Sequence, residues 1–393
     1  MDFAFPPHAE AFRTEVREFL AANITPETLD VSDGTIHDWD LHQKMAAKGW
    51  LSGAVPEELI PPDLGGGDRD LLEMAVLIEE LQLAGAPADG LGVAVCVASM
   101  VLELGNDFLK ETVAGPLLRG EVLASFGYSE PESGSDVAAA QTKAARDGDH
   151  WVINGQKMWT TLAHEAAFVI LLTRTNAEVP KHKGLTMFLV PLDAPGIEIQ
   201  PVWTMGTERS NATFYDDVRI GDEWRIGEVD GGWAVMKAAL KYERGIAGGQ
   251  FPSAPLLDAA ITYCRTTTDA DGRLLIDDPT VREQLVRARI DIEVCRGFAY
   301  KTAWMAAQGD FFGVEGSMTK LFASESYKQH AHWILDLMGP EGLLQHGADA
   351  APLGGSIEEH WRHAPVTTIY GGTSQITRNL VAEQHLGLPR ARR

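Results

Sequence analysis

The chain has 393 residues, of which 45% are hydrophobic and 23% charged, a composition typical of a globular protein. Its 33 basic and 56 acidic residues give a formal net charge of −23, which disfavours binding to nucleic acid or to an anionic membrane. The three cysteines form no Cys-x-x-Cys pair and residues 2–7 do not resemble a signal peptide, so we predict a cytoplasmic protein without disulfides.

The first third of the chain has the apolar periodicity of helices. Two segments place apolar residues on one helix face, namely Phe12, Val16, Phe19 and Leu20, and then Leu71, Met74, Ala75, Ile78 and Leu81. We therefore predict an N-terminal helical domain over residues 1–122.

The character of the sequence changes near residue 123, where short segments rich in β-branched and aromatic residues begin. Asn154-Gly155 lies between two such segments, and this dipeptide strongly favours a hairpin turn, so we predict a hairpin there. Further apolar strands are predicted at 168–173, 185–192, 197–199 and 213–215. Together they indicate a middle antiparallel β domain over residues 123–231.

Helical periodicity returns from about Gly232. Apolar residues recur on one face from Val281 to Phe298, which predicts a long helix, and further helices are predicted over 318–338 and after Thr373. These segments define a C-terminal helical domain over residues 232–393. Because helices and strands occur in separate runs, the fold class is α+β rather than alternating α/β.

Several common functional motifs are missing from the sequence. It has no Rossmann glycine fingerprint, no P-loop and no G-x-S-x-G nucleophile elbow. His330 and His332 should point to different faces of a helix, which makes them poor joint ligands. His360 and His363 could share a face, but we expect them to be solvated surface residues. No metal site is therefore predicted.

Two polar segments stand out in the predicted β domain. Residues 128–136 read Tyr-Ser-Glu-Pro-Glu-Ser-Gly-Ser-Asp, and residues 157–161 read Lys-Met-Trp-Thr-Thr. Each segment alone is more readily interpreted as a turn, a cap or part of the core. A third segment, Gly371 to Arg378, reads Gly-Gly-Thr-Ser-Gln-Ile-Thr-Arg.

In this order, the three segments resemble signature motifs of the acyl-CoA dehydrogenase family, and the resemblance extends over nearly the whole chain. It implies an N-terminal helical domain, a middle β domain and a C-terminal four-helix bundle, usually assembled as tetramers. It also implies FAD as the cofactor, bound without a Rossmann motif. The segment around Gly371 is also similar to a bacterial, actinomycete-type branch, some members of which act on bulky or steroid-like acyl chains.

The resemblance carries cofactor and substrate roles over to individual residues. The residues expected to line the flavin ring are Phe126, Tyr128, Ser129, Trp159 and Thr161. Those expected to reach the ADP part of FAD are Thr373 and Gln375. On the substrate side, Ser135 matches a position near CoA, and Tyr370 and Gly371 match positions near the reacting carbons.

The chain departs from many relatives at the catalytic base. Gly371 stands where they carry a glutamate, and glycine has no group that can take a proton. A minority branch of the family places the base in a helix of the C-terminal domain, at a position matched here by Glu243. Read alone, Glu243 and Arg244 would be a surface ion pair, but we favour Glu243 as the base. Arg244 matches a CoA contact.

The resemblance thus implies α,β-dehydrogenation of an acyl-CoA to a trans-2-enoyl-CoA. Glu243 would take the α-proton, flavin N5 would take the hydride, and an electron-transfer flavoprotein would accept the electrons. The assembly is expected to be a homotetramer or dimer, with a heterotetramer as the alternative. Asp277 to Thr280 and Asp336 replace residues that contact FAD across the dimer in many relatives. The chain could therefore be a non-catalytic partner subunit, and a flavin oxidase or hydroxylase is a third alternative.

Overall fold

The computed structural model describes residues 5–25, 27–29, 34, 36–53, 55, 59–60, 64, 69–246, 253–309 and 314–390, with only the backbone for 240–246. Within these ranges no helix is both long enough and apolar enough to cross a membrane.

The N-terminal part is helical, as predicted. Its helices are α1 (Pro7–Asn23), α2 (Trp39–Ala47), α3 (Leu71–Leu83), α4 (Asp89–Leu104), α5 (Asp107–Leu109) and α6 (Gly115–Leu118), with a π-helical turn at Lys110–Ala114. Helix α1 buries the four apolar residues that predicted it. Helix α3 begins with a capping box in which Asp70 and Glu73 satisfy each other's backbone N–H groups.

The middle of the chain forms an eight-stranded sheet. Its strands are β1 (Ala124–Gly127), β2 (Lys143–Asp147), β3 (His150–Met158), β4 (Phe168–Arg174), β5 (Leu185–Pro191), β6 (Ile197–Trp203), β7 (Arg209–Gly221) and β8 (Arg225–Ile226). The order is β6-β7-β3-β2-β4-β5-β8, with β1 beside β4. Most pairs are antiparallel, as expected, but β1 and β2 both pair with β4 in parallel.

The predicted hairpin at Asn154-Gly155 is wrong. Strand β3 runs through both residues, and the turn lies earlier, at Gly148-Asp149 between β2 and β3. Gly155 has a φ of 147° where the pairing of β3 with β7 shifts by a residue, and a Cβ there would lie 2.7 Å from Thr142 Cα. The glycine thus serves a β-bulge and a close backbone contact rather than a turn.

The C-terminal part is again helical. It contains α7 (Gly232–Ile246), α8 (Ser253–Thr266), α9 (Pro279–Ala307), α10 (Glu315–Met338), α11 (Ser356–Thr367) and α12 (Ser374–Leu380). The long helix predicted from Val281 is α9, and the next two predicted helices are α10 and α12. Helices α8 to α11 share one apolar core, to which each contributes, for example Leu257, Leu285, Ile334 and Ile357. Cys96, Cys264 and Cys295 are buried thiols, and none of them forms a disulfide among the described residues.

Candidate active site

The first polar segment leaves the end of β1. Phe126 and Tyr128 stack with their ring centroids 5.1 Å apart and an interplanar angle of 27°. Both rings, together with Ser129, are half-buried. The backbone carbonyl of Ser129 accepts a hydrogen bond of 3.0 Å from the N–H of Met158, the last residue of β3. The two polar segments singled out by the sequence are therefore neighbours in space.

Trp159 turns the chain sharply after β3. Its φ is 65°, a left-handed conformation that is uncommon for a residue other than glycine. The indole remains 55% exposed, which is a large apolar area to leave in solvent. Strained backbone and an exposed aromatic ring at one residue are typical of a binding site rather than of a packed core.

The residues after Trp159 are held by the beginning of β7. Thr160 N–H donates to the carbonyl of Asn211 over 2.9 Å, and the Asn211 side chain donates back to the Thr160 carbonyl over 3.0 Å. The hydroxyls of Thr161 and Ser210 are 3.1 Å apart. The five residues expected at the flavin ring therefore lie near one another, where β3 ends and β7 begins.

The C-terminal segment lies between α11 and α12. Tyr370 and Gly371 are exposed, and Gly371 and Gly372 have φ values of 60° and 97°, which favour glycine. Thr373 caps α12 by accepting from the N–H of Ile376 over 3.2 Å. Gln375 is exposed in the first turn of α12.

An ionisable cluster that the sequence reading missed lies next to this segment. Glu208, at the end of the β6–β7 loop, is hydrogen-bonded to His363 of α11, whose ring centroid is 6.5 Å from that of Tyr370. Asp89, the first residue of α4, interacts electrostatically with both Glu208 and His363. The expectation that His360 and His363 are solvated is wrong, because His360 is also engaged, by the Tyr327 hydroxyl at 2.6 Å.

The electrostatics of this cluster indicate a concave site. Burial raises the pKa of Asp89 to about 6, with His363 opposing and Glu208 adding to the rise. Burial alone would lower the pKa of His363, but the hydrogen bond to Glu208 and the negative charges of Glu208, Asp89 and Glu359 together outweigh it and raise that pKa. Asp89 and Tyr370 are nevertheless accessible to solvent. Asp89 and Tyr370 thus keep contact with solvent while surrounded in part by protein, and we call this partly enclosed region beside His363 the cleft.

The beginning of β7 connects the two groups of residues. Glu208 binds His363 beside Tyr370, and two residues later Ser210 contacts Thr161 beside Trp159. The loop before it is fixed to α11 by two further bonds, from the Thr207 hydroxyl to Glu359 over 2.6 Å and from Arg362 to the Met205 carbonyl over 2.8 Å. The cleft between the sheet and α11 is thus built across this junction.

Three remaining predicted residues are less well defined by contacts. Ser135 is exposed in the turn after β1, next to Asp136, which forms an ion pair of 2.6 Å with Lys181. Glu243 and Arg244 belong to the last turns of α7, but their side chains lie outside the described part of the structure. Helix α7 itself packs against α4, since Cys96 Sγ donates to the Ala239 carbonyl over 3.6 Å.

A separate apolar cavity of about 860 Å³ lies among α9, α10, α11 and α12. Phe298, Phe322, Trp361 and Arg378 are among its lining residues, whereas no predicted site residue lines it. Among the described residues, no group of histidine, cysteine and acidic side chains could hold a metal ion.

Comparison with known proteins identifies the family. Residues 6–121, 125–218 and 230–386 match the models of the N-terminal, middle and C-terminal domains of acyl-CoA dehydrogenases. The chain belongs to the acyl-CoA dehydrogenase family. Acyl-CoA dehydrogenase FadE26 of Mycobacterium tuberculosis is 31% identical over the full length of both chains. Acyl-CoA dehydrogenase IpdE1 of the same organism is 32% identical over 97% of this chain and 98% of its own.

Solved structures confirm the three-part fold. The chain is similar to the Tcur3481-Tcur3483 steroid ACAD, with a TM-score of 0.90, 29% identity and full coverage of both chains. It is also similar to a chain of the ChsE4-ChsE5 complex from Mycobacterium tuberculosis, with a TM-score of 0.89, 31% identity and full coverage of both. The expected enzyme class, a flavin-dependent oxidoreductase, and the expected cofactor, FAD, are properties of this family.

The described residues fit FAD. An isoalloxazine ring is flat, with one polar edge, and it needs an aromatic surface next to hydrogen-bonding groups. The exposed indole of Trp159 offers the surface, and the half-buried hydroxyls of Ser129 and Thr161 offer the groups. No other ring of the described residues stacks on this indole, so the face is left for a ligand.

Sequence reasoning missed Asp89, Glu208 and His363 for different reasons. The spacing of His360 and His363 draws attention to His363. That spacing carries no information about its hydrogen-bond partner Glu208, which is 155 positions away. Asp89 carries no signal in the sequence, because an acidic residue in the first turn of a helix is common. The start of a helix beside a cleft is visible only after folding.

Proposed function

We propose that this chain oxidises the CoA thioester of a bulky acyl chain to the trans-2-enoyl-CoA, with Glu243 as the base. The observation that carries the proposal is the junction at the beginning of β7, where the Trp159 segment and the Tyr370 segment meet one short stretch of chain. The ring-binding residues and the substrate-side residues then face one cleft, as hydride transfer from substrate to cofactor requires.

The proposed base follows from what the Tyr370 segment lacks. Gly371 carries no carboxylate, and its left-handed φ of 60° would strain any other L-residue in its place. Glu243 belongs to α7, which packs against the sheet at β5 and against α4, the helix that begins with Asp89. Glu243 therefore belongs to an element different from the one that precedes Gly371.

The proposed reaction conserves atoms and electrons. Glu243 takes the proton from the α-carbon, the C–H pair of the β-carbon leaves as hydride, and the Cα=Cβ double bond forms. Bound FAD supplies the acceptor for that hydride. Trp159 positions the acceptor, and Arg244 and Ser135 bind the CoA portion. A base for this step needs a pKa near the working pH, which a dry pocket provides for a glutamate.

The accessibility of the cleft to solvent supports a bulky acyl chain as the substrate class. Gly371 adds no side chain beside Tyr370, and Asp89 and Tyr370 remain accessible. Similar proteins include one that is named a steroid ACAD. We propose that an acyl chain with a ring system fits this cleft better than a straight chain does.

The test is anaerobic bleaching of the flavin in the purified holoprotein. Steroid side-chain CoA thioesters should reduce the flavin at least tenfold faster than butyryl-CoA or palmitoyl-CoA. Glu243→Gln should slow reduction by the better substrate by roughly 10³-fold while leaving the FAD content unchanged. Reduction by Glu243→Gln at the parent rate would overturn the assignment of the base, and a preference for straight chains would overturn the substrate class.

A second candidate is a non-catalytic partner subunit, which completes the site of a different chain. The observation that favours it is the N-terminus of α9, where Asp278 caps the helix by accepting from the N–H groups of Thr280 and Val281 over 2.6 and 3.2 Å. Asp336 is 68% exposed and its nearest partner is His332 at 3.7 Å. Carboxylates at these positions repel the phosphates of FAD instead of binding them.

The two candidates differ in the assembly that holds FAD. A self-sufficient enzyme, expressed alone, should carry about one FAD per chain. A subunit of a heteromeric enzyme should carry far less than one and should gain FAD when co-expressed with a second acyl-CoA dehydrogenase chain. Extraction of the flavin followed by its absorbance, together with the mass of the native assembly, decides between them.

A further inference from the structure

A buried ion pair joins the two polar segments of the site. Lys157, the second-last residue of β3, donates from Nζ to Glu130 Oε1 over 2.8 Å and to the Tyr128 carbonyl over 3.3 Å. The Lys157 side chain is fully buried, and that of Glu130 is 7% exposed. Neither residue is among those expected to touch FAD or substrate.

Both carboxylate oxygens of Glu130 accept hydrogen bonds. Glu130 Oε1 also accepts from the N–H of Thr142 over 2.8 Å, and Oε2 accepts from the N–H of Gln141 over 2.7 Å. Burial alone would raise the pKa of Glu130, but the Lys157 ammonium and the two N–H groups keep it below its usual value. Burial lowers the pKa of Lys157 to about 8, although Glu130 opposes this, so both groups are charged near neutral pH.

The hydrogen bonds of Lys157 are made to the two residues that flank Ser129. Lys157 holds Tyr128 and Glu130, and between them the Ser129 carbonyl accepts from Met158 over 3.0 Å. One side chain and one backbone bond therefore clamp three successive residues against the end of β3. The next residue after this clamp is Trp159, with its left-handed backbone.

Joining these two segments through a buried charged pair costs free energy. Taking two ions out of water costs several kcal/mol each, and apolar residues of the same volume often stabilise a fold as well or better. A buried pair that is hydrogen-bonded to both segments, by contrast, restricts the relative position of those segments. Its location two residues before Trp159, at the end of β3, indicates that position, rather than stability, is what the pair provides.

We propose that Lys157 and Glu130 are positioning residues, which fix Ser129 and Trp159 in the geometry that binds FAD and sets its electron affinity. The proposal rests on the assignment of Ser129 and Trp159 to the flavin ring. It predicts that breaking the pair changes the flavin itself, beyond any change in folding stability.

The test compares three variants of the holoprotein, in whichever assembly retains FAD. Lys157→Met removes the ammonium and leaves a buried carboxylate, whereas the double variant Lys157→Met with Glu130→Gln leaves a neutral pair of similar size. Arg219→Met is the matched control, because it removes an exposed ion pair of 2.8 Å to Asp147 in the same sheet. Each is measured for FAD dissociation constant, flavin midpoint potential, visible spectrum and unfolding midpoint.

We expect Lys157→Met to weaken FAD binding at least tenfold and to lower the unfolding midpoint. The double variant should recover part of the midpoint, because no charge is left unpaired, although an amide nitrogen cannot accept from one of the two backbone N–H groups that Glu130 binds. It should keep the weakened FAD binding and a shifted flavin potential. The Arg219→Met control should match the parent. The double variant also keeps the test decisive if Lys157→Met alone does not fold.

Two results would overturn the proposal. One is parent-like FAD affinity and potential in Lys157→Met. The other is recovery of affinity and potential in parallel with the unfolding midpoint in the double variant, which would make the pair merely structural. These measurements use no acyl-CoA. A parent protein that binds FAD but oxidises no acyl-CoA would therefore contradict the proposed function, while the flavin measurements would still decide the role of Lys157.

Discussion

Arg13 in α1 donates from Nη1 to Glu79 Oε2 in α3 over 2.6 Å, and both side chains are buried. Glu79 also accepts from Arg296 Nε over 2.7 Å and from the Tyr300 hydroxyl over 2.8 Å. Since Arg296 and Tyr300 belong to α9, this single carboxylate joins the N-terminal helices to the C-terminal ones.

Glu79→Gln should destabilise the protein by roughly 2–3 kcal/mol, because it removes the buried carboxylate that Arg13 and Arg296 share, although Arg13 keeps Glu80 at 2.6 Å. Glu10→Gln is the matched control, since Glu10 binds the same Arg13 over 3.2 Å but its side chain is 51% exposed. That change should cost about 0.5 kcal/mol or less. Urea unfolding of both variants measures the difference, and equal losses would contradict the assignment of Glu79 as the junction.

Asp89 should make stability depend on pH in an unusual direction. Its folded pKa of about 6 lies above the ordinary value of 3.8, so the folded state holds the proton more tightly than the unfolded state does. The Asp89 contribution therefore becomes unfavourable as pH rises from about 4 to 6 and stays so above pH 6. Asp89→Asn should raise the unfolding midpoint at about pH 7.5 but change it little at about pH 4.

The control for this experiment is Asp149→Asn, at the exposed turn between β2 and β3. It should leave the midpoint unchanged at both pH values. If Asp89→Asn stabilised the protein equally at the two pH values, the effect would not come from an enclosed carboxylate. The assignment of Asp89 to a partly enclosed position in the cleft would then be incorrect.

Trp159→Leu should weaken FAD binding by roughly tenfold, because leucine cannot stack on a flat ring. The matched control is Trp304→Leu, which removes an indole of similar exposure, 50%, from α9. The ratio of flavin absorbance to protein absorbance after gel filtration reports the retained FAD. Equal retention by the two variants would show that Trp159 does not face the cofactor.

Gly155→Ala should destabilise the protein by about 1–3 kcal/mol, because its Cβ would lie 2.7 Å from Thr142 Cα and its φ is 147°. Gly92→Ala gives the opposite expectation. Gly92 lies in α4, and a Cβ there would meet nothing within 4 Å beyond the backbone of its own helix. Alanine at this position should stabilise the helix by up to about 1 kcal/mol. Thermal unfolding of the two variants should therefore shift in opposite directions.

Long periodic segments were the most predictable part of the fold. The apolar face of α9, from Val281 to Phe298, identified a helix that runs from Pro279 to Ala307, because one buried stripe requires one spacing whatever its partners are. The strand at 168–173 was predicted equally well, since β4 is buried on both sides. In both cases, local pattern and tertiary environment agree.

Local signals were misleading where a distant residue decided the outcome. Asn154-Gly155 has the composition of a hairpin turn, but Gly155 lies against Thr142, the residue before β2, and the glycine accommodates this close contact. His363 looks like a surface histidine from its neighbours, but Glu208 from another part of the chain binds it. Neither contact leaves a trace in the local sequence.

The α+β order of elements, the family and the segments that form the site could be read from the sequence. Periodicity and motifs are local, and the agreement of several of them along the chain adds up. Which of those segments meet became visible in the folded structure alone. The pairing of Lys157 with Glu130, the junction at the beginning of β7 and the enclosed carboxylate of Asp89 all join residues 27 or more positions apart. Burial, which turns ordinary charges into positioning or strained ones, depends on these long-range contacts and exists only in the folded chain.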